Sequence, residues 1–329
     1  AAAGDLPGDR RPHRGRQRRL NPAVLVLAPR RYGVLGAGAI GSVYGSRLWQ
    51  AGHSVRFSLR SDLAAGLANG LRVESPWGDV AVPPEQLCAG PSGLSGCDGL
   101  LIGLKSTANP ELPALLAQLE PPPAWIVLLQ NGLGGEELLA AAAPEAVVLG
   151  GICEIACTRL GPAQVRHHAY GLLRLAPLQN SDAAQRACAA LADDFSAAGV
   201  PVQVSASLLS LRWHKLVWNM AFSGLCTVSG LRTQGLLGDP VWRERLMAVM
   251  AEVVTAARAD GADLDPAVIS NFISQTEAMV SYAPSMQVDA AAGRPLELEA
   301  IYREPLRRAQ RHGVAMPETT RLLRQLEAR

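Results

Sequence analysis

The chain has 329 residues, 48% of them hydrophobic and 18% charged. That composition excludes bulk disorder, and the length suits about two domains at roughly 100–200 residues each. A formal charge of +2 is too small by itself to imply a nucleic-acid partner.

The charge is unevenly placed. Residues 1–31 hold eight arginines against Asp5 and Asp9, a net of +6 that leaves −4 for the rest. This stretch has no apolar periodicity before Ala23, so residues 1–30 read as a disordered basic extension. Its acids and lack of serine argue against a targeting peptide. A non-functional extension is the expectation, with a basic arm for nucleic acid as the rival.

Arg31–Leu35 reads as a short buried strand running into Gly36-Ala37-Gly38-Ala39-Ile40-Gly41. A helix follows from Ser42 to Gln50, then a second strand from Ser54 to Leu59. Strand, glycine turn, helix and strand in this order are the context in which G-x-G-x-x-G indicates a dinucleotide site. Gly36 allows the tight turn, Gly38 lets backbone approach a pyrophosphate, and Gly41 lets the helix pack on the strand. The pyrophosphate sits at the helix N-terminus, where free N–H groups favour anions. The second strand ends Ser58-Leu59-Arg60-Ser61. A cation and a hydroxyl there suit a 2′-phosphate, which favours NADP(H), and Asp62 keeps NAD as the alternative.

Gly99–Leu104, Trp125–Leu129 and Ala146–Leu149 read as further buried strands. Residues 171–204 read as a strand, a helix from Asp182 to Ala198 and a closing strand, Val202–Val204. Strands alternating with helices predict a doubly wound parallel sheet over 31–204, of Rossmann type. After Ser205 strand signals vanish. Residues 207–258, with one break at Gly235–Pro240, and then 266–282 and 297–329 read as helical. The fold class is therefore α/β, with an all-helical domain over 205–329.

Six cysteines without a C-x-x-C pair read as free thiols in a reducing compartment, and no metal site is expected. No apolar run approaches the ~18 residues of a membrane span. These features predict a cytoplasmic protein, monomer or homodimer, with no nucleic-acid or membrane partner.

Only two of the 31 basic residues are lysines, Lys105 and Lys215. An ammonium can give up its proton, whereas a guanidinium stays charged. Lys105 and Asn131 each directly follow a strand, at the sheet edge that lines ligand crevices in such folds. Lys215, Asn219 and Ser223 are spaced to share one stripe of an otherwise apolar helix, with His214 turned away by about 100°. An ammonium buried in that way has a lowered pKa and suits a proton donor. Glu297 and Glu299 cannot share a helix face, and periodicity alone does not choose between them.

From Tyr32 onward the chain resembles the ketopantoate reductase family. The resemblance rests on Gly36–Gly41, Leu104-Lys105-Ser106, Gln130–Gly134, Lys215–Asn219, Ser285–Asp289, Gly293-Arg294, Glu297–Glu299 and His312–Pro317. It implies NADPH-dependent reduction of 2-dehydropantoate to pantoate, a step toward pantothenate and coenzyme A. It implies Lys215 as general acid, and Glu297 as the residue holding the substrate's hydroxyl end and the lysine's surroundings. Asn131 and Asn219 position substrate, Ser285 binds its carboxylate, and Lys105 and Arg60 contact NADPH. Two departures from the family pattern touch three positions: Ser223 stands for an asparagine, and Leu296-Glu297-Leu298 for Thr-Glu-Ile. They leave open a related NADP-dependent 2-hydroxy-acid dehydrogenase acting on another 2-keto acid. A non-catalytic NADP(H)-binding regulator is the rival from another class.

Overall fold

The structure is a computed structural model that describes residues 29–329. The basic extension expected over residues 1–30 lies outside the described residues as far as residue 28. Arg30 is described, and its guanidinium pairs with the buried carboxylate of Asp194.

The first part of the chain builds one ten-stranded mixed sheet. Its strands are β1 (Arg31–Leu35), β2 (Ser54–Leu59), β3 (Leu71–Glu74), β4 (Val80–Val82), β5 (Leu87–Ala89), β6 (Gly99–Ile102), β7 (Trp125–Leu128), β8 (Val147–Gly161), β9 (Gln164–Pro177) and β10 (Val202–Val204). The order is β4-β3-β9-β8-β7-β6-β1-β2-β5, with β10 beside β9. From β5 to β8 the neighbours are all parallel. The pairs β8–β9 and β3–β4 are antiparallel.

Helices α1 (Ala39–Gln50), α2 (Leu63–Asn69), α3 (Leu112–Leu116), α4 (Gly135–Ala142) and α5 (Asp182–Ala197) connect the strands. The chain leaves β1 toward β2 on one side and returns through β6 on the other. This reversal of strand order opens a crevice at the carboxyl ends of β1 and β6. Val34, Leu101, Val127 and Phe57 are fully buried along these strands. Buried on both faces, they read as continuous apolar runs.

The long β8–β9 hairpin differs from the sequence expectation, which ended one strand near Leu149 and began the next at 171. Three register shifts interrupt the pairing. Each bulge breaks the period-two alternation by which a strand is recognised in sequence.

The remainder is helical. It comprises α6 (Leu208–Trp218), a π-helical segment Asn219–Ser223, α7 (Gly224–Ser229), α8 (Thr233–Gly238), α9 (Pro240–Ala259), α10 (Val268–Glu277) and α11 (Ser285–Ala291). A second π-helical segment, Glu299–Arg303, follows, then α12 (Glu304–Arg311) and α13 (Pro317–Glu327). The Ser207 hydroxyl caps α6 by accepting from the Ser210 N–H. Asp239 caps α9, with Pro240 preset for its first turn. A break at Gly230 joins the expected one near Gly235–Pro240. Gly230 has φ +77° and ends α7 in the left-handed conformation. Trp213, Leu216, Val217, Met220 and Phe222 are buried among Leu246, Val249, Met250 and Val253 of α9. Each such side chain contributes ~1.5–3 kcal/mol by leaving water.

Candidate active site

A cleft of about 1460 Å³ runs between the sheet's carboxyl edge and the helical part. Its floor on the sheet side is the glycine loop. Gly36 has φ +89°, and a Cβ there would lie 2.6 Å from the Leu104 nitrogen. Gly38 begins α1 with no side-chain cap, and a Cβ on it would meet only the Gly103 carbonyl oxygen, at 4.0 Å. Free helix N–H groups therefore face open space, which suits a pyrophosphate. Ala37, Ala39 and Ile40 line the same floor. Gly41 does not line it. A Cβ there would sit 2.5 Å from the Gly36 carbonyl oxygen, so this glycine lets α1 lie close on β1.

At the end of β2, Arg60 is exposed and lines the cleft. Asp62 is buried and already engaged. Its carboxylate accepts from Arg159 at 2.6 Å, from the Ala163 N–H at 3.0 Å and from the Ser61 hydroxyl at 2.9 Å. Burial alone would raise its pKa. The Ala163 and Ser61 bonds and the Arg159 guanidinium nevertheless hold it below the usual aspartate range.

Lys105 follows β6 and forms an ion pair with Asp289 of α11. Asp289 is buried and also accepts from Arg294 Nε at 2.9 Å. This carboxylate therefore ties the sheet side of the cleft to the helical side. Asn131, after β7, meets Asn219: the Asn219 amide donates to Asn131 Oδ1 at 3.1 Å.

Lys215 lies in the last turn of α6 and lines the cleft. Among the described residues its ammonium has no hydrogen-bond or ion-pair partner; Nζ stands 5.9 Å from the Trp218 ring centroid. Burial pushes its pKa below the ordinary lysine value, against an opposing pull from Glu154 and Cys153. Glu154 is itself held by Arg174 at 2.7 Å. Asn219 and Ser223 also line the cleft, but on a π-helical segment rather than the α-helical stripe expected from their spacing. His214 lines the cleft too, its ring 4.8 Å from that of Phe272. The turn away expected from helical spacing does not remove it from the site.

Burial separates the two glutamates. Glu297 is 7% exposed and lines the cleft, and its Oε1 accepts from the Ser106 N–H at 2.8 Å and hydroxyl at 2.9 Å. Glu299 is exposed and pairs with Arg303 and Arg307. No bond joins Glu297 to Lys215 among the described residues. Ser285, the first residue of α11, is exposed at the cleft.

Several neighbours escaped the sequence reading. Cys153, Glu154, Cys157 and Tyr170 reach the cleft from the hairpin, and Trp218, Phe272 and Tyr282 form an aromatic wall beside Lys215. Behind the wall, buried Arg212 donates to the carbonyls of Gln130 and Leu128 and pairs with Glu136 of α4, its Nε at 2.8 Å. That guanidinium fastens α6 to the end of β7. The i, i+3 spacing of Arg212 and Lys215 was visible in sequence, but the arginine's partners lie 76 or more positions away.

Two family models match the chain: "Ketopantoate reductase PanE/ApbA" over residues 32–180 and "Ketopantoate reductase PanE/ApbA C terminal" over 207–329. A 2-dehydropantoate 2-reductase of Nostoc sp. is 34% identical, with 91% of this chain and 94% of that protein covered. A solved 2-dehydropantoate 2-reductase of Geobacter metallireducens superposes with TM-score 0.85 at 36% identity, covering 91% of this chain and 99% of the other. D-mandelate dehydrogenase, solved with NADH and anilino(oxo)acetate, shares the fold at TM-score 0.82 and 22% identity, with 91% and 97% covered.

Proposed function

The chain belongs to the ketopantoate reductase family of nicotinamide-dependent oxidoreductases, and from that premise we propose that it reduces 2-dehydropantoate to pantoate with NADPH. The product leads toward pantothenate and coenzyme A. The observation that carries this reading is the Lys215 ammonium, without a partner among the described residues and facing the same cleft as the glycine loop.

When bound, a reduced nicotinamide would supply the hydride that the keto carbon needs. Negative charge then grows on the keto oxygen, and the Lys215 ammonium stabilises that charge more in the transition state than in the ground state. Lys215 next gives its proton to this oxygen, and its depressed pKa eases the transfer. An arginine would bring the charge but keep its proton.

The Asn131–Asn219 bond fixes both amides. The second half of each, Asn131 Nδ2 and Asn219 Oδ1, is left to orient the substrate. Glu297, fixed by Ser106, accepts the substrate hydroxyl, and exposed Ser285 donates to its carboxylate. Ser223 lies beside the asparagines as a further substrate contact.

The glycine loop would take the pyrophosphate and Arg60 the 2′-phosphate, with Lys105 a further contact to NADPH from the end of β6. NADPH is favoured over NADH because the Asp62 carboxylate is engaged by Arg159, Ser61 and Ala163, while Arg60 is exposed at the cleft with no partner among the described residues. In this reading residues 31–204 hold the cofactor and 205–329 the substrate.

Six free cysteines suit a reducing cytoplasm. No helix among the described residues is long and apolar enough to cross a membrane. We take the working unit as a monomer or homodimer.

The test is NADPH oxidation by the purified protein with ketopantoate, run beside other 2-keto acids and with NADH in place of NADPH. A strong preference for ketopantoate and NADPH supports the reading. Turnover of a different keto acid alone would move the substrate assignment.

A further inference from the structure

The β8–β9 hairpin carries a backbone outlier that the reductase reading leaves without a role. Tyr170 has φ +65°, and Gly171 follows at φ +125°. The left-handed region is uncommon for any residue with a Cβ and costs a bulky one most. The Tyr170 side chain gains no core packing in exchange: the residue is 59% exposed and lines the cleft. Register shifts lie on both sides of Tyr170, the kind of irregularity that re-aims side chains.

A buried framework holds this conformation. His167 Nε2 lies 3.1 Å from the Ala169 carbonyl oxygen and 3.0 Å from that of Tyr170. Carbonyls only accept, so Nε2 bears the proton, and Nδ1 accepts from the Ser75 hydroxyl at 2.9 Å. Burial lowers the His167 pKa, which keeps this neutral tautomer. Ser75 Oγ accepts in turn from Arg47 Nη2 at 3.2 Å and the Trp77 N–H at 3.1 Å. Trp77 covers Gly171 so closely that a Cβ there would lie 2.2 Å from the indole. Strain over-determined by its surroundings, with the side chain left facing a cleft, points to function.

The substrate end is the nearer one. Tyr170 pairs with Ile155 across the hairpin. Two residues before Ile155, the Cys153 thiol reaches the Leu129 carbonyl at 3.9 Å, beside Gln130 and Asn131. Four residues beyond Ile155, Arg159 holds Asp62 at the far end of the cleft.

We propose that Tyr170 determines specificity, its ring packing on the carbon chain of the 2-keto acid and filling space that a bulkier chain needs. This rests on the reductase reading and adds a residue to it.

The test compares wild type, Tyr170→Gly and Tyr170→Phe in the full chain. Glycine accepts the backbone conformation, so Tyr170→Gly should leave Tm no lower than wild type. The same change should raise KM for ketopantoate roughly tenfold and shift kcat/KM toward phenylpyruvate. The NADPH Kd, read by fluorescence titration, should stay constant. Tyr170→Phe keeps the ring and should restore most of the KM. An unchanged KM in Tyr170→Gly overturns the proposal, as does a KM rise matched by an equal rise in NADPH Kd, which would make Tyr170 a cofactor contact. A wild-type protein inert toward every 2-keto acid would instead overturn the reductase reading, and this proposal with it.

Discussion

The Tyr302 phenol donates to the Met220 carbonyl at 2.8 Å, and each residue lies in a π-helical segment. Wide turns of this kind leave backbone groups outside the regular α-helical ladder, and they recur at functional sites. Here one wide turn supplies the acceptor and the other the donor. Asn219, beside Met220, is thereby held where it meets Asn131. Gly224 completes the arrangement, because a Cβ there would lie 2.1 Å from the Tyr302 oxygen.

Tyr302→Phe should therefore cost about 1–3 kcal/mol, since it leaves a buried carbonyl without its donor. Urea unfolding measures the loss. If the bond also positions Asn219, KM for the keto acid rises while NADPH affinity holds. A variant as stable as wild type would show that the bond contributes nothing net.

Lys215→Ala should lower kcat by roughly 10²–10⁴-fold. Lys215→Arg should not restore the rate, because the guanidinium keeps its proton. With Lys215 as the proposed general acid, its protonated form is the active one, so kcat should fall as pH rises through its pKa. Burial sets that pKa below the ordinary lysine value of 10.5, which moves the alkaline limb to lower pH. A pH profile with the same alkaline limb in Lys215→Ala would remove the lysine from the proton step.

Much of this site was legible because its chemistry restricts the residue type. Gly36 is needed for its positive φ and Gly41 for its contact with the Gly36 carbonyl, so the loop is visible in sequence. Lys215 stood out as one of two lysines in an arginine-rich chain. The glutamate pair was not legible, because a π-helical segment begins at Glu299 and local spacing says nothing of Ser106, 191 positions away. The hairpin was not legible either, since its bulges erase alternation. Asp289 lay within a recognised segment, but its pairing with Lys105 is a contact between distant parts of the chain.

Arg60→Ala should weaken NADPH binding far more than NADH binding, because only NADPH carries the 2′-phosphate. Fluorescence titration of both nucleotides gives the ratio. Equal losses would take the phosphate away from Arg60. Arg159→Ala provides a contrast: it frees the Asp62 carboxylate, which should improve NADH binding relative to NADPH.

Arg212→Met should destabilise the protein by about 3–5 kcal/mol, because Glu136 is left buried without its cation. Arg212→Met with Glu136→Leu should recover much of that loss. The double variant should still turn over more slowly than wild type, since α6 is no longer fastened to the carbonyls of Leu128 and Gln130. Full activity in the double variant would show that α6 holds Lys215 in place by packing alone.

Both lysine side chains of the chain line one cleft. Side-chain acylation, reductive alkylation and imine-forming probes are therefore confined to the site itself. The two amines are also chemically unlike. Lys105 is salt-bridged and exposed, whereas Lys215 has no partner among the described residues and burial lowers its pKa, so near neutral pH burial favours the free base of Lys215. An amine reagent applied at that pH reports on the occupancy of the cleft without any engineered label, and bound nucleotide or keto acid should protect each lysine separately.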